Sequence, residues 1–331
     1  MKHLASHLDP KAFSNSPQME PTRNGFGRGL VTAGEKSDQV VALCADLAES
    51  TRMHHFREAF PDRYVELGVA EQNLATVASG MAAMGKIPFM SSYATFSPGR
   101  NNEQIRTTIC INKMPVKVVG SHAGISVGPD GATHQALEDI ALMRVLPHMT
   151  VVYPGDAIEA EKATIAIAEN DKPTYLRLAR AKTPTFTTKD SPFSLTKALP
   201  LFTPEKPVVT VFSTGPLTHE ALKAASTMTE KGITAQVIHV PVIKPLDTET
   251  ILAAVQKSSA VVTVEEHQIA AGFGSAIAEV LAAHHPMPIE FIGVHDRFGQ
   301  SGNPDELLRE YQLDEQAISQ AIERAAMRVN Q

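Results

Sequence analysis

The stretch YVELGVAEQNLATVASGMAAMGKIPFM (residues 64–90) decides the fold class. A short apolar run at 64–67 ends at Gly68, a segment of helical length rich in small residues covers 71–84, and a second apolar run opens at Ile87 after Gly85. Strand, helix and strand joined by glycine turns make a βαβ unit, which lays its two strands parallel.

The same rhythm extends in both directions. Strand-length apolar runs occur at 40–47, 116–120, 150–153 and 174–178, and again at 208–212, 234–240, 260–264 and 289–293. Helical stretches at 135–145 and 157–169 sit between them, the latter opening on Asp156 with Glu159 three residues on, the spacing of a capping box. Between Ala181 and Pro207 the alternation stops in a run of five prolines among threonines and serines, Pro184, Pro192, Pro200, Pro204 and Pro207. The expected architecture is α/β, with two doubly wound domains on mainly parallel sheets: residues 1–185, a linker at 186–206, and residues 207–331.

Composition narrows the function. At 331 residues the chain can bury two cores, and 43% hydrophobic with 20% charged residues is ordinary for a globular protein. A formal net charge of −6 argues against a nucleic-acid backbone as a general partner. Cys44 and Cys110 lie in apolar runs without ligand spacing and read as buried thiols of a reducing compartment. No apolar stretch approaches the roughly 20 residues of a membrane span, and residues 1–21 lack a signal-peptide core, so the expected location is cytoplasmic.

In open α/β sheets ligands bind beyond the carboxyl ends of the strands. Following each strand in turn gives Asp46 and Ser50, then Glu71, then Tyr93 and Phe96, then His122, and finally Arg180. The loop SHAGISVGPDGATHQ (121–135) is longer and richer in glycine than a connection requires, and it adds Asp130 and His134. Glu71 opens a helix, where a carboxylate gains from the helix dipole whatever else it does. The small residues that follow (Ala75, Ala78, Ser79, Gly80, Ala82, Ala83) would let a neighbour approach closely and leave the acid in an apolar setting, able to share a proton with a nitrogen base. His122 and His134 lack a third ligand and the spacing of a zinc site. In EEHQIAAGFGS (265–275) a glycine-rich turn precedes a helix; tight packing explains it better than a cofactor does.

ELGVAEQN (66–73), SSYATFSPGRNNEQIR (91–106) and GSHAGISVGPDGATHQALEDIALMR (120–144), with ADLAES (45–50) before them and EEHQIAAGFGS after, occur in the order found in thiamine-diphosphate enzymes of the transketolase group. The chain resembles the pyrimidine-binding and C-terminal domains of a transketolase over essentially residues 20–331. The resemblance implies that Glu71 hydrogen-bonds N1′ of the aminopyrimidine and so activates the thiazolium C2. It implies that Phe96 and Tyr93 pack on the pyrimidine ring and that Asp46 lies near the cofactor. His122, Asp130 and His134 would face the donor ketose, His122 and His134 also moving protons. Arg23, Ser50 and Arg180 would hold the distal phosphate, a role that suits the planar guanidinium fork.

A full-length transketolase is about twice as long, and its first half carries the Gly-Asp-Gly and later asparagine that bind Mg2+. The Pro-Asp-Gly at 129–131 aligns instead with the substrate loop. The resemblance therefore implies a split enzyme: this chain would act with a diphosphate-binding partner chain, which would hold most of the Mg2+ site, in a two-plus-two heterotetramer. A 2-oxoacid dehydrogenase β-subunit, a deoxyxylulose-phosphate synthase and a non-catalytic regulatory subunit are the alternatives. The His122 context and SPGR (97–100) favour transketolase.

Overall fold

The structure, a computed structural model, describes residues 3–328. Two sheets form its centre. In the larger, seven strands run in the order Val242–Lys244, Thr150–Val152, Thr174–Arg177, Lys117–Ser121, Ile87–Tyr93, Val40–Cys44, Tyr64–Glu66, and all pair parallel except Val242–Lys244. The smaller sheet has the order Ile289–Val294, Ala260–Gln268, Val209–Ser213, Ala235–His239, Leu199–Phe202, with only Leu199–Phe202 antiparallel.

Alternation along one strand shows how the larger sheet is buried on both faces. Val41 and Leu43 pack with Leu74, Ala75 and Ala78 of the helix Glu71–Ala83. Val40, Ala42 and Cys44 point the other way, to Phe26 and Leu30 of the helix Thr22–Lys36. A continuous apolar strand is what a parallel sheet with helices on both faces demands. On the second face Thr22–Lys36 lies directly against Ala157–Ala168, and the approach needs glycine. A Cβ on Gly25 would drive into the Ala157 carbonyl, and one on Gly29 would come within 2.7 Å of the Glu161 carbonyl oxygen. Asp156 caps Ala157–Ala168 by accepting the Glu159 N–H at 2.9 Å, as the sequence spacing suggested.

The ten expected strands are present with shifted ends. The helix expected at 135–145 is much shorter, Asp139–Arg144, because residues up to Glu138 belong to the preceding loop. The proline-rich stretch is also folded, where a linker was expected. Leu199–Phe202 is an edge strand, Thr183–Pro184 pairs with Met19–Glu20, and Phe186 is fully buried. Proline is tolerated on an edge strand, where part of the backbone needs no partner. Val242–Lys244 leaves the later half of the chain to become an edge of the larger sheet. Among the described residues, no helix is long and apolar enough to cross a membrane.

Candidate active site

Strand order positions the site. From Val40–Cys44 the chain goes first to the neighbour Tyr64–Glu66 on one side and then to Ile87–Tyr93 on the other, so a crevice opens beyond their carboxyl ends. Tyr93 ends one strand, and His122 directly follows Lys117–Ser121. Their rings stack with centroids 3.9 Å apart and an interplanar angle of 25°. Phe96 lies 6.1 Å from Tyr93, and His134 meets Phe96 edge-on at 5.4 Å and Tyr93 at 6.0 Å. Four flat rings from three segments thus line one wall.

His122 is 2% exposed and has a left-handed backbone (φ 58°). Its Nε2 is 3.2 Å from Arg23 Nη1, and its Nδ1 is 2.9 Å from Ser121 Oγ. Burial, reinforced by Arg23, Arg180, His134 and Arg52, depresses its pKa to about 2. Arg23 also donates to the Ser50 carbonyl at 2.7 Å. Burial, with Arg52 and Arg180 as like-charged neighbours, lowers its own pKa to about 10. Arg180 donates to the Val127 carbonyl in the 121–135 loop at 3.1 Å. Three guanidiniums therefore crowd one end of the crevice, a field that favours an anion.

At the other end Glu71 is the first residue of its helix and is 2% exposed. Arg100 Nη1 approaches Glu71 Oε2 at 3.5 Å, the limit of a hydrogen bond, and the same guanidinium sits 5.6 Å over the Phe96 ring. Asn101 Nδ2 pins the Glu71 carbonyl at 2.9 Å. A contact chain thus runs from Glu71 through Arg100 and Phe96 to Tyr93, His122 and Arg23.

Two sequence-derived candidates stand apart from that chain. Asp130 is exposed in the turn between Gly128 and Gly131, and Asp46 is exposed on a left-handed backbone (φ 58°), its N–H donating to Glu66. Two residues of the cluster escaped the sequence reading. Arg52, at the left-handed end of the helix Ala48–Thr51, donates to Asn24 Oδ1 at 2.8 Å, while Arg23 from the facing helix reaches back to Ser50. In the sequence Arg100 stands only as the end of SPGR, and Arg52 only as a basic residue two after Ser50; neither carries a local signal of its neighbours in the crevice. The glycine-rich turn at 265–275 is filled from within: Glu265 accepts the Phe273 and Gly274 N–H groups at 2.6 and 2.8 Å, occupying that helix start, and burial pushes its pKa up to about 8.

The Glu71 end fits an aminopyrimidine. A buried carboxylate can hydrogen-bond a ring nitrogen, and the half-buried Phe96 offers a flat apolar wall. On the segment that carries Phe96, Ser92, Thr95 and Asn101 each keep a buried side-chain oxygen without a partner among the described residues.

Comparisons with known proteins identify the family. The pyrimidine-binding domain of transketolase matches residues 19–185, and the transketolase C-terminal domain matches residues 201–318. The chain is 41% identical over 303 residues to a putative transketolase C-terminal section of Methanocaldococcus jannaschii, covering 91% of this chain and 94% of that protein. It is 38% identical over 301 residues to a 6-deoxy-6-sulfo-D-fructose transketolase subunit of a Clostridium species, covering 91% and 93%. A split-gene transketolase solved as an inactive β4 tetramer superposes with a TM-score of 0.86 at 40% identity, covering 93% of this chain and 98% of that one. The chain belongs to the transketolase family and corresponds to the pyrimidine-binding plus C-terminal section that split-gene members carry as a separate subunit.

Proposed function

We propose that this chain is the pyrimidine-side subunit of a thiamine-diphosphate-dependent transketolase that moves a two-carbon ketol unit from a phosphorylated ketose to an aldose. The observation that carries the reading is the buried Glu71 carboxylate beside Phe96, joined by a contact chain to the three-arginine end of the crevice. One end suits a nitrogen heterocycle and the other an anion, as a cofactor and a sugar phosphate laid end to end require.

Bound thiamine diphosphate supplies the carbon nucleophile that makes cleavage next to a ketone feasible. Glu71 would hold the proton at N1′, with Phe96 and Tyr93 against the ring and Asp46 near the cofactor. Neutral His122 would accept a hydrogen bond from a sugar hydroxyl at Nε2, and His134 would hydrogen-bond a further hydroxyl. Asp130, at the loop tip, would read a hydroxyl at C2 or C3. Arg23, Arg180 and Ser50 would fix the phosphate, and this anchoring orients the carbonyl for attack.

In this reading residues 1–185 form the pyrimidine-binding unit, 207–331 the C-terminal unit, and 186–206 a connection that also lends the smaller sheet its edge strand Leu199–Phe202. The diphosphate and Mg2+ are held mainly by a second, diphosphate-binding chain, activity requires that chain, and the assembly is a two-plus-two heterotetramer in the cytoplasm. The split-gene relative of 40% identity, inactive as a β4 tetramer, supports the need for a partner.

The test is reconstitution. The chain, a diphosphate-binding partner, Mg2+ and thiamine diphosphate should convert xylulose 5-phosphate and ribose 5-phosphate only when all are present. Conversion without thiamine diphosphate, or decarboxylation of pyruvate in place of ketol transfer, would overturn the reading.

A further inference from the structure

The loop at 121–135, which carries His122, Asp130 and His134, takes its shape from residues that lie outside the crevice. Its first half rests on Glu266 of the smaller sheet. Oε1 of Glu266 accepts the Ser126 backbone N–H at 2.6 Å, and the Tyr153 hydroxyl donates to Oε2 at 3.4 Å. A Cβ on Gly124 (φ 90°) would collide with this carboxylate, so glycine lets the loop close onto it. The second half is tied by Gln135, whose Nε2 donates to the carbonyls of Ile125 at 3.0 Å and Gln300 at 2.9 Å. Beyond the loop, fully buried Arg177 pairs with Asp139 at 2.7 Å and donates to the carbonyls of Ala136 and Glu266 at 3.2 and 3.0 Å. The Gln268 N–H closes the set on the Leu137 carbonyl at 2.9 Å. Glu266, Gln268 and Gln300 all come from the smaller sheet or the loop after it.

We propose that the smaller sheet serves the site as a template for the 121–135 loop, with Glu266 and Gln135 as its positioning residues. Packing alone does not call for these groups. Glu266 is 2% exposed, its burial pushes the carboxyl pKa up against the pull of Arg177, and an apolar side chain would fill the space at lower cost. What a carboxylate adds is a directed acceptor for the Ser126 N–H, four residues past His122. A shift of an ångström at that loop would misplace both histidines against a substrate.

This inference rests on the proposed transketolase reading for its kinetic arm alone. In the reconstituted complex, Glu266→Ala should raise the donor KM and lower kcat, together cutting kcat/KM roughly a hundredfold. Glu266→Gln, which keeps an acceptor oxygen, should stay within about threefold of wild type on that scale. Gln135→Met, of similar volume but without the amide, should cut kcat/KM roughly tenfold and decides the matter if Glu266→Ala does not fold. Hydrogen exchange in peptides spanning 121–135 needs no substrate. It should accelerate at least about tenfold in Glu266→Ala and Gln135→Met and not in Glu266→Gln, with global melting little changed. Folded variants with wild-type loop protection would overturn the proposal whatever the activity. Altered protection in a complex that transfers no ketol would instead refute the transketolase reading.

Discussion

Arg23 Nη1 lies 3.2 Å from His122 Nε2, and this contact fixes which imidazole nitrogen carries the proton. A guanidinium only donates, so Nε2 is the acceptor, and Nδ1–H donates to Ser121 Oγ at 2.9 Å. The neutral ring is thus held in one tautomer by bonds on both nitrogens. In the proposed function, a substrate anion that drew Arg23 towards itself would free the Nε2 lone pair and so couple phosphate binding to the availability of an acceptor in the crevice.

The same neutrality sets a pH dependence. The folded pKa of His122, about 2, lies below the ordinary 6.5, so the unfolded chain takes up a proton that the native state refuses. The stabilising difference is therefore present above pH 6.5 and lost as pH falls below it, by about 2 kcal/mol between pH 7.5 and 5. Urea unfolding at the two pH values should show His122→Gln losing about that much less stability than wild type. Equal losses in the two proteins would contradict the buried, neutral histidine.

Arg52 is the arginine that sequence reading left out, and its removal separates anion binding from chemistry. Arg52→Gln should raise KM for a phosphorylated ketose roughly tenfold, in keeping with one lost charge-assisted contact. A neutral ketose donor should change less than twofold, since it carries no anion for the cluster to hold. Steady-state kinetics with both donors checks this. Equal losses would mean that Arg52 only supports the turn it ends.

Close helix packing makes a second contrast. Gly25→Ala should destabilise the chain by about 1–3 kcal/mol or more, because its Cβ meets the Ala157 backbone. Gly80→Ala lies on the exposed side of Glu71–Ala83 with open space around the new methyl and should be neutral or stabilising by up to about 1 kcal/mol. The denaturant midpoint should fall in Gly25→Ala and stay level or rise in Gly80→Ala.

These glycines mark where sequence reading stopped. The βαβ rhythm was legible because buried parallel strands are apolar along their whole length, as at Val40–Cys44. The helix Thr22–Lys36, with glycines at 25, 27, 29 and 34, was not recognised: glycine is a poor helix former, and the reasons for it lie elsewhere in the chain, at Ala157 and Glu161 for Gly25 and Gly29 and at Arg52, His55, Phe56 and Phe60 for Gly27 and Gly34. Leu199–Phe202 was hidden by Pro200 and the prolines around it, and it lies at a sheet edge. Of the candidate residues, Glu71, His122 and His134 stand inside the motifs, Arg180 just past a strand end, and Arg23 is named by the resemblance alone, whereas Arg52 and Arg100 join them only when segments distant in sequence are brought together. The interlock of Glu266 with the 121–135 loop spans 140 residues and leaves no local pattern.

In the proposed function the carboxyl group of Glu71 is the point on which cofactor activation turns, and replacing it isolates that role. In the complex saturated with thiamine diphosphate, Glu71→Gln should lower the transfer rate by at least about a hundredfold, the scale of a lost proton-holding group, with assembly and melting temperature unchanged. A Glu71→Gln complex that transfers ketol units at the wild-type rate would contradict the assignment.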